Sequence, residues 1–266
     1  MLKTRIVTAL ILVAGLSLLL FAAPLWALQT AFALAAAVAA WEWAGFMAID
    51  RGGRVLYGAF VLILCWMAHV KATVVFVPLW LSVAGFWLLV APLWLARRWR
   101  LGGNDMVAYL LGALLIVSTW SALAAMSERG PWTLLGVLAV VWVADIGAYF
   151  AGRRYGRRKL APSISPGKTW EGAAGGVLGV LCYGLIVVPH LLPIADAGAF
   201  LMVTVALVIV AILSIQGDLF ESLLKRQAGL KDSSQVLPGH GGVLDRIDSV
   251  TSTLPVVALA FQYLLP

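Results

Sequence analysis

Asp218, Ser222 and Lys225 are the residue types that phosphate chemistry uses, and they stand at offsets of zero, four and seven. On a helix these offsets form one stripe, so a carboxylate, a hydroxyl and an ammonium point the same way. Asp245 and Asp248, three residues apart, again share one side. The turn ahead of them, PGHGG, has three glycines, which let backbone approach a ligand closely or take positive φ. Carboxylates beside cations suit a hard divalent ion holding a polyphosphate, since magnesium takes one or two carboxylates plus phosphate and water. Spacing alone equally allows these acids to do no more than pair with Lys225, Arg226 and Arg246.

A second segment, ISPGKT, ends like a phosphate-binding P-loop, but the glycine required at position 162 is Pro162, and no strand is expected before it; the P-loop is rejected. Ser165 and Pro166 instead read as a helix start, which would leave Lys168 near free amides able to meet phosphate. The neighbouring RRYGRRK is accounted for as a positive-inside anchor.

Asp145, in WVADIGAYF, and Glu42, in AAWEWAGF, are acids inside apolar runs. An intramembrane acid is a functional candidate by default. Either lines the site or satisfies a neighbouring helix, and Asp145 is the better candidate for lining. His240 has no partner histidine or cysteine pair for zinc, so phosphate contact or loop organisation is its expected role. Cys65 and Cys182 both sit in apolar runs and read as packing residues. GAAGGVLG, 172–179, reads as a surface for close helix packing. The tryptophans are expected mostly in interfacial belts.

The surrounding elements are apolar to a degree that excludes a soluble enzyme, a disordered tail or a secreted disulfide scaffold. Of 266 residues, 62% are hydrophobic and 12% charged, against about 45–50% and about 25% in soluble domains. The expected fold is an all-α polytopic membrane protein. Nine apolar stretches are long enough to be spans, at roughly 6–23, 28–47, 55–70, 74–95, 107–126, 132–150, 172–192, 199–217 and 247–265. The third is short, and a partly inserted segment is one reading of it. Lys3 and Arg5 precede the first run, which reads as an uncleaved helix although FAAPLWA could pass for a signal-peptidase site.

With the N-terminus cytoplasmic and the C-terminus outside, all of the 19 Lys and Arg except Lys71 and Arg129 fall on the inner side, as the positive-inside rule asks. The net charge of +7 therefore belongs to the inner face, and no nucleic-acid partner is expected. Five N-terminal spans (1–130) are expected to precede a catalytic region (131–266) whose polar cytoplasmic loops are 151–171 and 217–246. The halves show no repeat of the kind transporters carry.

Residues 222–248, SLLKRQAGLKDSSQVLPGHGGVLDRID, resemble the signature of the phosphatidate cytidylyltransferases. The matching positions are Ser222, Lys225, Arg226, Lys231, Asp232, His240, Gly241, Gly242, Asp245, Arg246 and Asp248. The stretch 145–172 is similar to that family's other well-kept segment. The resemblance implies transfer of CMP from CTP to phosphatidic acid, giving CDP-diacylglycerol and diphosphate. It also implies Mg²⁺ with a monovalent cation such as K⁺, a homodimer, and a cytosol-facing polar funnel in the inner membrane. On that reading Asp218 and Asp245, then Asp248 and Asp145, are metal ligands. Ser222, Lys225, Arg226 and Arg246 act on phosphates, while Ser165, Lys168, Thr169, Lys231, Asp232, His240, Gly241 and Gly242 bind substrate. A CDP-alcohol phosphotransferase is disfavoured because the chain has no Asp-Gly dipeptide. A CTP-using lipid kinase and an anionic-lipid scaffold remain as rivals.

Overall fold

The structure, a computed structural model, describes residues 2–101, 106–191 and 196–263. The outermost residues of the expected seventh and ninth spans, and part of the connection between the seventh and eighth, lie outside the described residues. The described chain forms nine long helices: α1 Leu2–Phe21, α2 Leu25–Phe46, α3 Arg51–Val70, α4 Ala72–Arg97, α5 Met106–Glu128, α6 Pro131–Tyr155, α7 Trp170–Leu191, α8 Ala197–Gln227 and α9 Leu244–Tyr263. A small antiparallel hairpin, β1 Lys159–Ala161 and β2 Ser165–Thr169, lies between α6 and α7.

Eight of the nine helices are long and apolar enough to cross a membrane, and the protein is an all-α polytopic membrane protein. The helix with the less apolar sequence is α9. Its hydroxyls are spent on backbone: Ser249 Oγ donates to Ser214 O at 3.0 Å, Ser252 Oγ to Leu213 O at 2.7 Å and Thr253 Oγ1 to Ser249 O at 2.8 Å. Packed against α8, α5 and α4, the helix keeps those polar groups inside the bundle.

The expectation of a short third span is corrected. Asp50 caps α3 by accepting from the N–H groups of Gly52 (3.1 Å) and Gly53 (3.3 Å). The polar run RGGR therefore becomes the first turn of a full 20-residue helix. Five of the twelve tryptophans depart from the expected belts. Trp43, Trp80, Trp87, Trp94 and Trp120 are buried, and their indole N–H groups donate to Ala108 O, Ser121 Oγ, Thr251 O, Trp99 O and Gln29 O. A helical bundle can bury so large a ring because a neighbouring polar oxygen satisfies its one donor.

Two packing devices position the site. Gly147 of α6 meets Gly175 and Gly176 of α7 so closely that an added Cβ would press on the opposite backbone. This is the close approach expected of GAAGGVLG, and α6 with α7 is the most extensive helix pair in the fold. A π-helical turn at Phe86–Val90 in α4 brings Phe86, Trp87 and Trp94 around Phe220 of α8, with ring centroids 5.4–5.7 Å away in edge-on contacts. Phe220→Ala should therefore destabilise the protein by about 3–5 kcal/mol, read as a lowered unfolding midpoint in detergent.

Candidate active site

Within α8, Phe220, Leu223 and Leu224 turn to the core while Asp218 and Lys225 face a cleft. The expected stripe is present: α8 runs unbroken to Gln227, and Ser222 Oγ donates to Asp218 Oδ1 at 3.2 Å. Gly217 lets α9 come close, since a Cβ there would strike Ser252 Oγ and the carbonyl of Asp248. That closeness brings Asp245, Arg246 and Asp248 of α9 into the same cleft as Asp218.

The hairpin is a correction to the expected helix start. Ser165 and Pro166 lie in β2, paired with β1, so a short strand does precede GKT, although as its partner in a hairpin. Thr169 is the residue that begins α7, its Oγ1 accepting from Gly172 N–H at 3.1 Å. A β-bonded backbone holds Lys168 out over the cleft, and the helix opens only after it. The hairpin's base is fastened by Glu171, which accepts from Arg157 N–H (3.0 Å) and Arg158 N–H (3.2 Å).

Lys168 Nζ reaches across to Asp218 Oδ2 at 2.6 Å, joining the two polar segments. Lys225 Nζ lies between Glu221 Oε2 (2.7 Å) and Asp245 Oδ1 (2.5 Å). Among the described residues the three ion pairs all belong to this region. The Asp245 side chain is only 5% exposed: its Oδ2 accepts from Ser233 N–H (2.8 Å), Ser233 Oγ (2.9 Å) and Gly242 N–H (2.8 Å). Asp145 and Asp248 line the cleft with Asp218, close enough that their charges act on one another.

The cleft measures about 650 Å³, within the ~300–1,000 Å³ of small-molecule sites. Its walls include Asp145, Ser165, Lys168, Thr169, Asp218 and Lys225, with Asp232, Asp245, Arg246 and Asp248 from beyond the α8 end. Other predicted residues lie outside that lining. Arg226 is exposed in the last turn of α8, and Lys231 is exposed on the loop after it. Gly241, at φ 80°, and Gly242 form the turn before α9. His240 donates its N–H to Leu237 O at 2.8 Å, and its Nδ1 is buried without a partner among the described residues. Glu42 also stays outside the cleft, satisfying the α9 end of the loop instead.

Sequence reasoning missed three features. Glu221 carries the Glu-to-Lys spacing of four residues that marks a helix pair, a signal that was available. Arg153, assigned to an anchor, lines the cleft with Tyr149; its Nη1 donates to Tyr149 Oη at 2.8 Å. Ser233 and Ser234 had no signal at all.

Among the described residues no three histidine, cysteine, aspartate or glutamate side chains stand together as a ready metal site. The donors that line the cleft are hard carboxylate oxygens, the chemistry magnesium accepts when phosphate and water complete its shell.

Fold and site together define a polytopic membrane protein with a cleft lined by carboxylates and cations. The profile of the Cytidylyltransferase family matches residues 3–264, and the chain belongs to that family: it is a nucleotidyltransferase that uses CTP. It is 39% identical over 274 residues to the phosphatidate cytidylyltransferase of Pseudomonas aeruginosa, covering 97% of this chain and 96% of that one. It is 33% identical to the Haemophilus influenzae enzyme of the same name over the whole of both chains. Identity to the Thermotoga maritima phosphatidate cytidylyltransferase is 44% over 140 residues, 52% of each chain.

Proposed function

We propose that the protein is a phosphatidate cytidylyltransferase of phospholipid biosynthesis, transferring CMP from CTP to phosphatidic acid and releasing diphosphate. The names of its relatives support the lipid substrate, and one observation carries the site: the Lys168–Asp218 contact across a cleft walled by both polar segments. In this reading an oxygen of the lipid phosphate attacks the α-phosphorus of CTP, and the bond to the β-phosphate oxygen breaks as diphosphate leaves. The attacking phosphate is already ionised, so no general base is needed.

The barrier is repulsion between two polyanions, and the chain lowers it by positioning and fixed charge. Lys168, Lys225, Arg226 and Arg246 neutralise phosphate oxygens, and Ser222 holds Asp218 in place. Thr169 keeps Lys168 at the helix mouth. Lys231, Asp232, His240, Gly241 and Gly242 shape the nucleotide side. Asp218, Asp245, Asp248 and Asp145 would hold Mg²⁺, with a monovalent cation such as K⁺ beside it. That ion supplies charge neutralisation on the phosphates. On α6, exposed Ile146 and Phe150 flank the cleft residues Tyr149 and Arg153, an apolar margin along which acyl chains can lie while the headgroup enters.

The distribution of Lys and Arg supports a cytoplasmic N-terminus and a cleft facing the cytoplasm, in the inner membrane of a bacterial cell. A homodimer is part of the same reading through the family resemblance.

Purified protein given phosphatidate, radiolabelled CTP and Mg²⁺ should move label into a chloroform-soluble liponucleotide, and EDTA should abolish the transfer. Release of CDP with the label left in water would instead make the protein a CTP-dependent lipid kinase. No CTP turnover would leave the scaffold reading.

A further inference from the structure

Glu42 lies in α2, far in sequence from both polar segments, and is fully buried. Its Oε1 accepts from Ser234 Oγ at 2.6 Å and Val243 N–H at 2.9 Å. Its Oε2 accepts from Leu244 N–H at 2.6 Å and stands 3.1 Å from Ser233 Oγ. Val243 immediately precedes α9 and Leu244 opens it, where the helix's own ladder leaves amides without partners. A carboxylate at that end satisfies them and meets the positive end of the helix dipole.

The contact continues toward the cleft. Ser233 shares its hydroxyl between Glu42 Oε2 and Asp245 Oδ2, 2.9 Å away, and Asp245 Oδ1 takes Lys225. Gly242 has no room for a side chain because Ser233 Oγ and Glu42 Oε1 occupy the place of its Cβ. The segment 231–244 is thus fastened from below by a residue of the N-terminal half. Peeling it away would leave a buried carboxylate unpaired, which is strongly unfavourable.

We propose that Glu42 is a positioning residue for nucleotidyl transfer. It sets the loop and the first turn of α9 so that Asp232, Asp245 and Arg246 enter the cleft together. The inference rests on the phosphatidate cytidylyltransferase reading above. It also assigns the N-terminal helices a part in the chemistry beyond anchoring.

The test uses the full chain in detergent, as the parent, Glu42→Gln, Ser234→Ala and the double variant. Steady-state rates with CTP and phosphatidate are measured per folded molecule, beside amide hydrogen exchange over 231–244. A glutamine keeps one acceptor oxygen but turns an NH₂ toward the remaining donors. Glu42→Gln should lower kcat by about 10²-fold, the scale of a 1 Å misplacement, with KM for phosphatidate unchanged and exchange in 231–244 faster. Ser234→Ala should act in the same direction more weakly, and add little in the Glu42→Gln background, because both variants break one network.

Unchanged kcat per folded molecule in Glu42→Gln overturns the inference. So does a loss of activity that only follows the loss of folded protein. If Glu42→Gln yields no folded protein, parent-like kcat and exchange in Ser234→Ala overturn it instead. A parent that moves no CMP sinks the functional reading, and the exchange measurement still decides whether Glu42 holds the loop.

Discussion

Lys168→Met should lower kcat/KM for CTP on the order of 10²–10³-fold, the cost of removing one charge-stabilising donor from an active site, while the protein stays folded. The stability half of this result follows from exposure. The side chains of Lys168 and Asp218 are 23% and 34% exposed, and ion pairs open to solvent add little to folding. The catalytic half follows from position: the ammonium stands over the cleft at the end of β2, where a triphosphate entering would exchange it from Asp218 onto a phosphate oxygen. Lys168→Arg should recover only part of the loss, because a planar guanidinium is larger and spreads its charge. Steady-state kinetics with varied CTP, beside a thermal melt, read both effects. A variant whose kcat/KM stays near the parent's would remove Lys168 from the chemistry.

Lys225→Met should do the opposite kind of damage, lowering stability as well as ending activity. Lys225 is 12% exposed and both of its carboxylate partners 5%. Glu221 Oε1 already lacks a hydrogen-bond partner among the described residues. Deleting the one cation between two buried acids leaves uncompensated charge, at a cost of about 3–5 kcal/mol. Adding Glu221→Gln to Lys225→Met should return part of the stability, because one of the stranded charges is gone, yet return no activity. The comparison of unfolding midpoints in the single and double variants separates this from a simple packing defect. Equal midpoints in parent and Lys225→Met would show that the acids are solvated and that the buried network is not structural.

The two variants differ because the site has two layers. An outer layer of Lys168, Asp218 and Arg246 remains partly open to solvent and is available to ligand. An inner layer of Glu221, Lys225, Asp245, Ser233 and Glu42 is buried and mutually bonded, and holds the outer one in register. Phosphoryl chemistry that depends on positioned charge needs both.

Much of this was written in local pattern. Apolar runs of spanning length announced the bundle, because a bilayer admits a helix only when some 20 residues are apolar. The offsets of Asp218, Ser222 and Lys225, and of Asp245 and Asp248, announced shared faces, because helical period is a property of the chain alone. The acid Asp145 announced itself through the cost of placing a charge among apolar residues. Local pattern misled where a residue's state depended on a distant one. Ser165 and Pro166 have the types that open a helix, yet pairing with β1 makes them a strand and leaves the cap to Thr169. Trp43, Trp80 and Trp87 are drawn inward, away from the belts expected for most tryptophans, where a carbonyl or hydroxyl of another helix meets the indole N–H. Which acids are bonded into the buried network, Glu42 and Asp245 among them, is a question of donors brought from up to 202 residues away. Spacing carries no information about such donors. Folding alone brings them to the carboxylate, because a buried charge persists only where enough of them converge.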